Sequence, residues 1–246
     1  MNRLALEGSE AHHCLEVLRL GVGSKVVVFN GHGSEATAEI VEVDRNVARL
    51  KPLLSAKADP LRCSITLAQA IPKGKHMDLI VQKATELGVS RIVPLLSERT
   101  VVQLAQDEAD KKREKWRHVV IEAAKQCGQN LLPDVSEPIT PKQFFSEFDR
   151  YELPLIASLQ TDAQNFKGAL SDFREHHGRR PRSALMLIGP EGDFTPAESS
   201  LARSAGCIPV SLGPIVLRTE TAALYSLSVL AYELQGPDAS HEEEAR

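Results

Sequence analysis

A chain of 246 residues, 42% hydrophobic and 25% charged, is long enough for one large domain or two unequal ones and too balanced for a disordered or fibrous protein. A net charge of −4 excludes an indiscriminate, uniformly basic binder of nucleic acid. No stretch approaches the roughly 20 apolar residues that span a bilayer, and residues 1–10 lack the apolar core of a secretory leader, so the expectation is a cytoplasmic protein with no membrane partner.

The first 57 residues read as β structure. Residues 9–19 predict a short helix carrying Leu15 and Leu18 inward. A strand over 25–29 ends in Asn30-Gly31, a tight-turn signal. Residues 35–43 alternate in part, and Asp44-Arg45-Asn46 turns the chain into a strand over 47–53. Short strands with tight turns predict a small β-barrel over 1–57, followed by a polar linker over 55–60 that ends in Pro60.

From Leu61 the rhythm changes to strands separated by helices. Strands are expected over 63–70, 91–96, 153–159, 184–188 and 207–212. A helix over 75–87 places Met77, Ile80, Val81 and Ala84 on one face, with Gly88 as its C-terminal cap. A long helix over 107–127 has Trp116, Val119, Val120, Ala123 and Ala124 as its apolar stripe, and a last helix covers 220–234. Apolar strands that do not alternate predict an α/β domain over 61–235, a parallel sheet covered on both faces. Residues 236–246, with three consecutive glutamates, read as a disordered acidic tail. The four cysteines are scattered without a CxxC pair, so buried reduced thiols are expected and no metal.

Ligands of parallel sheets bind outside the carboxyl ends of the strands. After the strand over 184–188 comes Gly189-Pro190-Glu191-Gly192-Asp193-Phe194, a turn that leaves backbone groups uncovered and able to read an adenine edge. Glu191 either balances a cationic sulfonium or caps the turn. Thr195-Pro196-Ala197-Glu198 has the signature of a helix start. A second Gly-Pro turn, Leu212-Gly213-Pro214, precedes Leu217-Arg218-Thr219-Glu220-Thr221-Ala222 at the head of the last helix. Two such turns favour one shared pocket. Neither GxxxxGK[ST] nor an early GxGxxG is present. Basic runs at 111–118 and 174–182 permit an RNA partner, and each reads equally well as a solvated face.

In order along the chain stand His12-His13, Val17-Leu18-Arg19-Leu20, Phe29-Asn30-Gly31-His32-Gly33, Lys73-Gly74-Lys75, Met77-Asp78 and Gln82-Lys83-Ala84-Thr85-Glu86-Leu87-Gly88-Val89. Ser97-Glu98-Arg99-Thr100, Trp116 with Glu122-Ala123-Ala124-Lys125-Gln126-Cys127-Gly128, and the two Gly-Pro loops complete the set. Together they resemble the RsmE family of the SPOUT superfamily, methyltransferases that make N3-methyluridine in 16S ribosomal RNA. The resemblance implies a PUA-like RNA-binding β-barrel, then a SPOUT methyltransferase domain whose trefoil knot forms the cofactor pocket. It also implies S-adenosylmethionine as cofactor, 16S rRNA within the assembled small subunit as partner, and a homodimer.

On this chain the cofactor is then expected against Leu159, Ile188, Gly189, Pro190, Glu191, Gly192, Leu212, Gly213, Leu217, Arg218, Thr219 and Ala222. Arg218 is assigned to the developing oxyanion. Glu220 or Glu86 is the base or base-orienting group, and Arg99 and Gln126 contact uracil or phosphate. His13, Arg19, Arg179 and Arg180 are expected on the RNA. Four positions depart from the family pattern. The chain starts late, at Met1-Asn2-Arg3, so a barrel edge is expected to be missing; Asp193 replaces a glycine; Ile215 and Gln129 each replace an arginine. The competing readings are a non-catalytic ribosome-assembly factor with a degenerate pocket and a SPOUT enzyme with another RNA target.

Overall fold

The computed structural model of the protein describes residues 4–100, 106–146 and 151–236, and the chain divides into two compact units at Pro60 and Leu61. The acidic tail expected over 236–246 lies outside the described residues beyond Gly236.

In the first unit β1 (Leu4–Glu7) leads into α1 (Gly8–His12) and a single π-turn (His13–Val17), followed by β2 (Lys25–Phe29), β3 (Ser34–Asp44) and β4 (Val47–Lys57). The strands form an antiparallel half-barrel in the order β1-β4-β3-β2, bent by register shifts in β3 at Thr37/Ala38 and Ile40/Glu42. The Asn30-Gly31 signal is realised: the Asn30 side-chain oxygen accepts from the N–H groups of His32 (2.8 Å) and Ser34 (3.1 Å), and Gly31 takes φ 77°. Ala38, Ile40, Ala48, Leu50 and Cys14 make the core.

β1 forms one edge of this half-barrel and pairs with β4 from Leu4↔Leu50 to Glu7↔Val47. Two expectations are corrected here. The start of the expected linker is still sheet: Ser55, Ala56 and Lys57 pair with Ala36, Glu35 and Ser34, so β4 runs on as long as β3 offers partners. Leu15 packs on the core as expected, but Leu18 is 54% exposed; the wider π-turn ends at Val17, and Leu20 packs on the core in its place.

The second unit comprises β5 (Ser64–Ala70), α2 (His76–Glu86), β6 (Arg91–Leu95), α3 (Gln106–Cys127), β7 (Asp134–Val135), α4 (Pro141–Ser146), β8 (Leu153–Ala157), β9 (Gln164–Asn165), α5 (Phe166–His177), β10 (Ser183–Ile188), α6 (Pro196–Ser204), β11 (Ile208–Ser211) and α7 (Thr219–Gln235). Its seven strands run parallel in the order β7-β6-β5-β10-β8-β11-β9. Successive residues of β10 explain its unbroken apolar run. Met186 and Ile188 enter the core that holds Ile80, Trp116, Val120 and Leu227, and Leu185 and Leu187 enter the opposite one with Phe144, Phe194 and Ala202.

The two basic runs also find structural places. Arg174, His176 and His177 occupy the last turn of α5, where a helix favours cations, and Gly178 closes it in the left-handed conformation. On α3, Lys115 pairs with Asp78, and Arg113 reaches the Val135 carbonyl (3.0 Å) and Glu137 (3.1 Å). Cys14, Cys63 and Cys207 are buried, and burial pushes the last two thiols up to about 12. Cys127 is exposed at the end of α3, against the expectation for all four. Among the described residues no helix is long and apolar enough to cross a membrane, and no cluster of His, Cys, Asp and Glu could hold a metal ion.

Candidate active site

Because β10, β8 and β11 are neighbours and parallel, the segments leaving their carboxyl ends share one edge of the sheet. There they enclose a cavity of about 420 Å³, within the range of small-molecule sites. Its walls are residues 157–159, 188–191, 212–213 and 215–220, with Asp193, Ala222 and His76. Leu159, Ile188, Gly189, Pro190, Glu191, Leu212, Gly213, Leu217, Arg218, Thr219, Glu220 and Ala222 are thereby brought together.

The turn after β10 is built from its own residues. The Asp193 N–H donates to the Pro190 carbonyl at 2.9 Å, and the Phe194 N–H donates to the Asp193 carboxylate at 2.8 Å. Asp193 has φ 60°, a conformation that favours glycine and that aspartate tolerates by such local hydrogen bonding. This accounts for the departure at that position. A Cβ on Gly189 would come within 3.1 Å of Asp193 Oδ1 and 3.2 Å of the Phe194 nitrogen, so the turn closes this tightly only on glycine.

Contacts from Thr219 and Lys73 bind this turn to its surroundings. The Thr219 hydroxyl, at the first residue of α7, donates to the Gly189 carbonyl at 2.7 Å and joins the two Gly-Pro loops. The Glu191 carboxylate accepts the Lys73 N–H at 2.9 Å, so it bridges to the segment after β5 rather than capping its own turn.

Glu198 does more than the expected helix cap. Its buried carboxylate completes the capping box with Thr195 and also accepts the Ser97 hydroxyl (3.1 Å) and the Glu98 N–H (2.9 Å). That clamp holds the segment after β6 against the turn, where Arg99 donates to the Gly192 carbonyl at 2.6 Å. Gly192 is thus turned toward Arg99 and is not part of the cavity wall.

His76 was not anticipated. It opens α2 on the cavity wall, with Nδ1 3.6 Å from Glu220 Oε1. The rule that pointed to the ends of β10 and β11 applies equally to the end of β5, and would have drawn attention to it. Ile215 and Val216 stand 74% and 72% exposed on the cavity wall.

Other expected site residues lie elsewhere. Glu86 is bound by Lys83 on α2 at 2.8 and 2.9 Å, and Gln126 is exposed on α3; neither lines the cavity. His13 and Arg19 are exposed in the first unit. Arg179 makes a two-pronged pair with Glu152 (2.8 and 2.9 Å), and Arg180 donates to the Gly236 carbonyl at 2.6 Å. Their guanidinium groups have intramolecular partners that the sequence did not disclose.

The Arg179 hydrogen bonds, aided by the Arg182 N–H, hold the Glu152 carboxyl well below its ordinary range, at about 2. A depressed pKa contributes stability above pH 4.5 that is lost as pH falls through about 2. Arg179→Ala is therefore expected to narrow the stability difference between pH 6 and pH 2.5, by a small amount because the pair is exposed to solvent. Denaturant titrations at the two pH values check it; an unchanged difference sinks the assignment.

Comparison with known proteins fits this geometry. A model described as an RNA methyltransferase domain matches residues 59–231, and one described as an RNA methyltransferase PUA domain matches residues 6–53. Ribosomal RNA small subunit methyltransferase E of Bacillus subtilis is 32% identical, over 94% of this chain and 90% of its own length. The protein of the same name from Synechocystis is 33% identical, over 92% of this chain and 71% of its own. Among solved structures, ribosomal RNA small subunit methyltransferase E of Neisseria gonorrhoeae, bound to S-adenosyl methionine, is similar with TM-score 0.80 and 31% identity, covering 93% of this chain and 91% of that one. A Legionella pneumophila protein in complex with bound cofactor SAM gives TM-score 0.82 and 36% identity, covering 92% and 90%. The chain belongs to the RNA methyltransferase family, in its RsmE branch, with a PUA-like domain ahead of a SPOUT methyltransferase domain.

Proposed function

We propose that this protein methylates N3 of a uridine in 16S ribosomal RNA, with S-adenosylmethionine as methyl donor and the assembled small subunit as substrate. The observation that carries the reading is the convergence of both Gly-Pro loops on one cavity. The cavity suits the cofactor: Leu159, Ile188, Leu212 and Leu217 offer apolar walls, and Glu191 and Glu220 place carboxylates beside it.

When bound, the cofactor supplies a methyl group on a positively charged sulfur. The protein must align uridine N3 with it, an effect worth about 7–11 kcal/mol in favourable intramolecular cases. The uracil must leave its stack to reach the cavity, as bases do for other modifying enzymes. Glu220 accepts the N3 proton or orients the group that does, and His76 beside it is placed to pass that proton to solvent. Arg218 offsets the charge that builds on the uracil oxygens. Arg99, held against Gly192, is assigned to uracil or phosphate, and Gln126, which does not line this cavity, is assigned to the same contacts at the cavity of a second copy.

His13 and Arg19 on the half-barrel are assigned to phosphate contacts, together with the basic runs on α3 and around Arg179 and Arg180. Their removal is expected to flatten the dependence of RNA affinity on salt. The same reading includes a homodimer, for which Tyr225 and Tyr232, 45% and 81% exposed on α7, offer apolar contacts, and the implied trefoil threading. An rRNA target places the protein in the cytoplasm. The decisive measurement is mass spectrometry of 16S rRNA from cells lacking the protein. N3-methyluridine is expected to disappear and to return with the wild-type gene. An unchanged mark refutes the substrate, and calorimetry showing no S-adenosylmethionine binding would leave a non-catalytic assembly factor.

A further inference from the structure

Gln69 lies on β5 beneath the cavity and is fully buried among apolar neighbours, Leu67, Ala68 and Ala70. Its Nε2 donates to the Ala70 carbonyl at 2.8 Å and to the Thr219 hydroxyl at 3.1 Å. The Ala70 carbonyl can only accept, which fixes which end of the amide is nitrogen. The single hydroxyl proton of Thr219 is then directed onto the Gly189 carbonyl at 2.7 Å. A relay therefore runs from Gln69 through Thr219 to Gly189. Its first member does not line the cavity, and the other two do.

The same orientation leaves Gln69 Oε1 buried without a hydrogen-bond partner among the described residues. Such an acceptor is destabilising, and leucine would fill a similar volume without it. Packing therefore does not account for glutamine here, whereas the relay does.

We propose that Gln69 is a positioning residue of the cofactor site. It locks the Thr219 hydroxyl onto the Gly189 carbonyl, and so holds the turn after β10 and the start of α7 in one relative position before the cofactor arrives. Preorganisation of this kind strengthens binding by removing the ordering that would otherwise accompany it. The proposal rests on the reading that the cavity takes S-adenosylmethionine.

The test is calorimetric affinity for S-adenosylmethionine, read beside the melting temperature, in Gln69→Leu, Thr219→Val, Thr219→Ser and the Gln69→Leu/Thr219→Val double variant. Gln69→Leu is expected to bind about tenfold more weakly, the equivalent of one hydrogen bond, while melting at or above the wild-type temperature. Thr219→Val should weaken binding similarly, Thr219→Ser should restore it, and the double variant should add little to Thr219→Val because both break one relay. Wild-type affinity in Gln69→Leu overturns the proposal, as does a loss that merely follows a lowered melting temperature across all the variants. If wild-type protein binds no S-adenosylmethionine, the cofactor reading fails by itself. Amide exchange over residues 189–194 in Gln69→Leu then decides the relay: faster exchange supports it and unchanged exchange refutes it. Thr219→Val gives the same readout if Gln69→Leu does not fold.

Discussion

Arg218→Ala is expected to lower turnover at saturating S-adenosylmethionine by about 10²–10³-fold, the usual consequence of removing one oxyanion-stabilising group. Arg218 is the residue before α7, and the helix begins without help from its side chain. Its carbonyl accepts the Ala222 N–H at 2.8 Å, a backbone contact that alanine keeps. The guanidinium is therefore available to the cavity wall, and its loss should leave the helix intact. Charge develops on the uracil oxygens only as N3 gives up its proton, so the stabilisation is greater in the transition state than in the bound substrate. A fall in kcat with little change in KM is the corresponding kinetic signature. Single-turnover methylation of a 16S substrate with saturating cofactor measures it. Near-normal turnover with intact cofactor binding would remove Arg218 from the chemistry.

The second large effect concerns stability. Glu198→Ala removes the acceptor for the Thr195 N–H and hydroxyl, the Ser97 hydroxyl and the Glu98 N–H in one step. Loss of the helix cap and of partners for buried donors is expected to total about 3 kcal/mol. For a domain of this size that corresponds to a melting temperature lower by roughly 6–12 °C. Glu198→Gln keeps one accepting oxygen and should lose clearly less. The segment carrying Arg99 is released from the turn after β10, so amide protection over 97–100 should fall along with that over 192–195. Thermal unfolding and amide exchange test both parts. A melting temperature within about 2 °C of wild type would show that the clamp contributes little.

These predictions draw on different sources. Arg218 was singled out by its position at the head of the last apolar helix. Glu198 was legible only as the third residue after Thr195 in a capping pattern. Its second task depends on Ser97 and Glu98, which lie 101 and 100 residues away in the chain. The basic run at 174–182 shows the same limit. Its composition leaves a nucleic-acid surface and a solvated face equally open, and only the structure shows that part of it closes α5 and that Arg179 pairs with Glu152, 27 residues earlier.

Local physics carried much of the outcome from the sequence itself. Apolar periodicity marked α2, α3 and α7 within a residue or two of their bounds, turn chemistry marked the bend at Asn30-Gly31, and the Gly-Pro loops marked the edge of the sheet where the cavity lies. Each of these features is set by residues within a few positions of one another. Tertiary structure alone decided what depends on distant partners: the edge strand β1 on β4, the approach of His76 to Glu220, the turn of Gly192 toward Arg99, and Gln69 beneath Thr219, 150 residues further along. No local rule brings such groups together. They meet because a parallel sheet gathers the ends of distant strands at one edge, and a buried polar group takes whichever partner that edge provides.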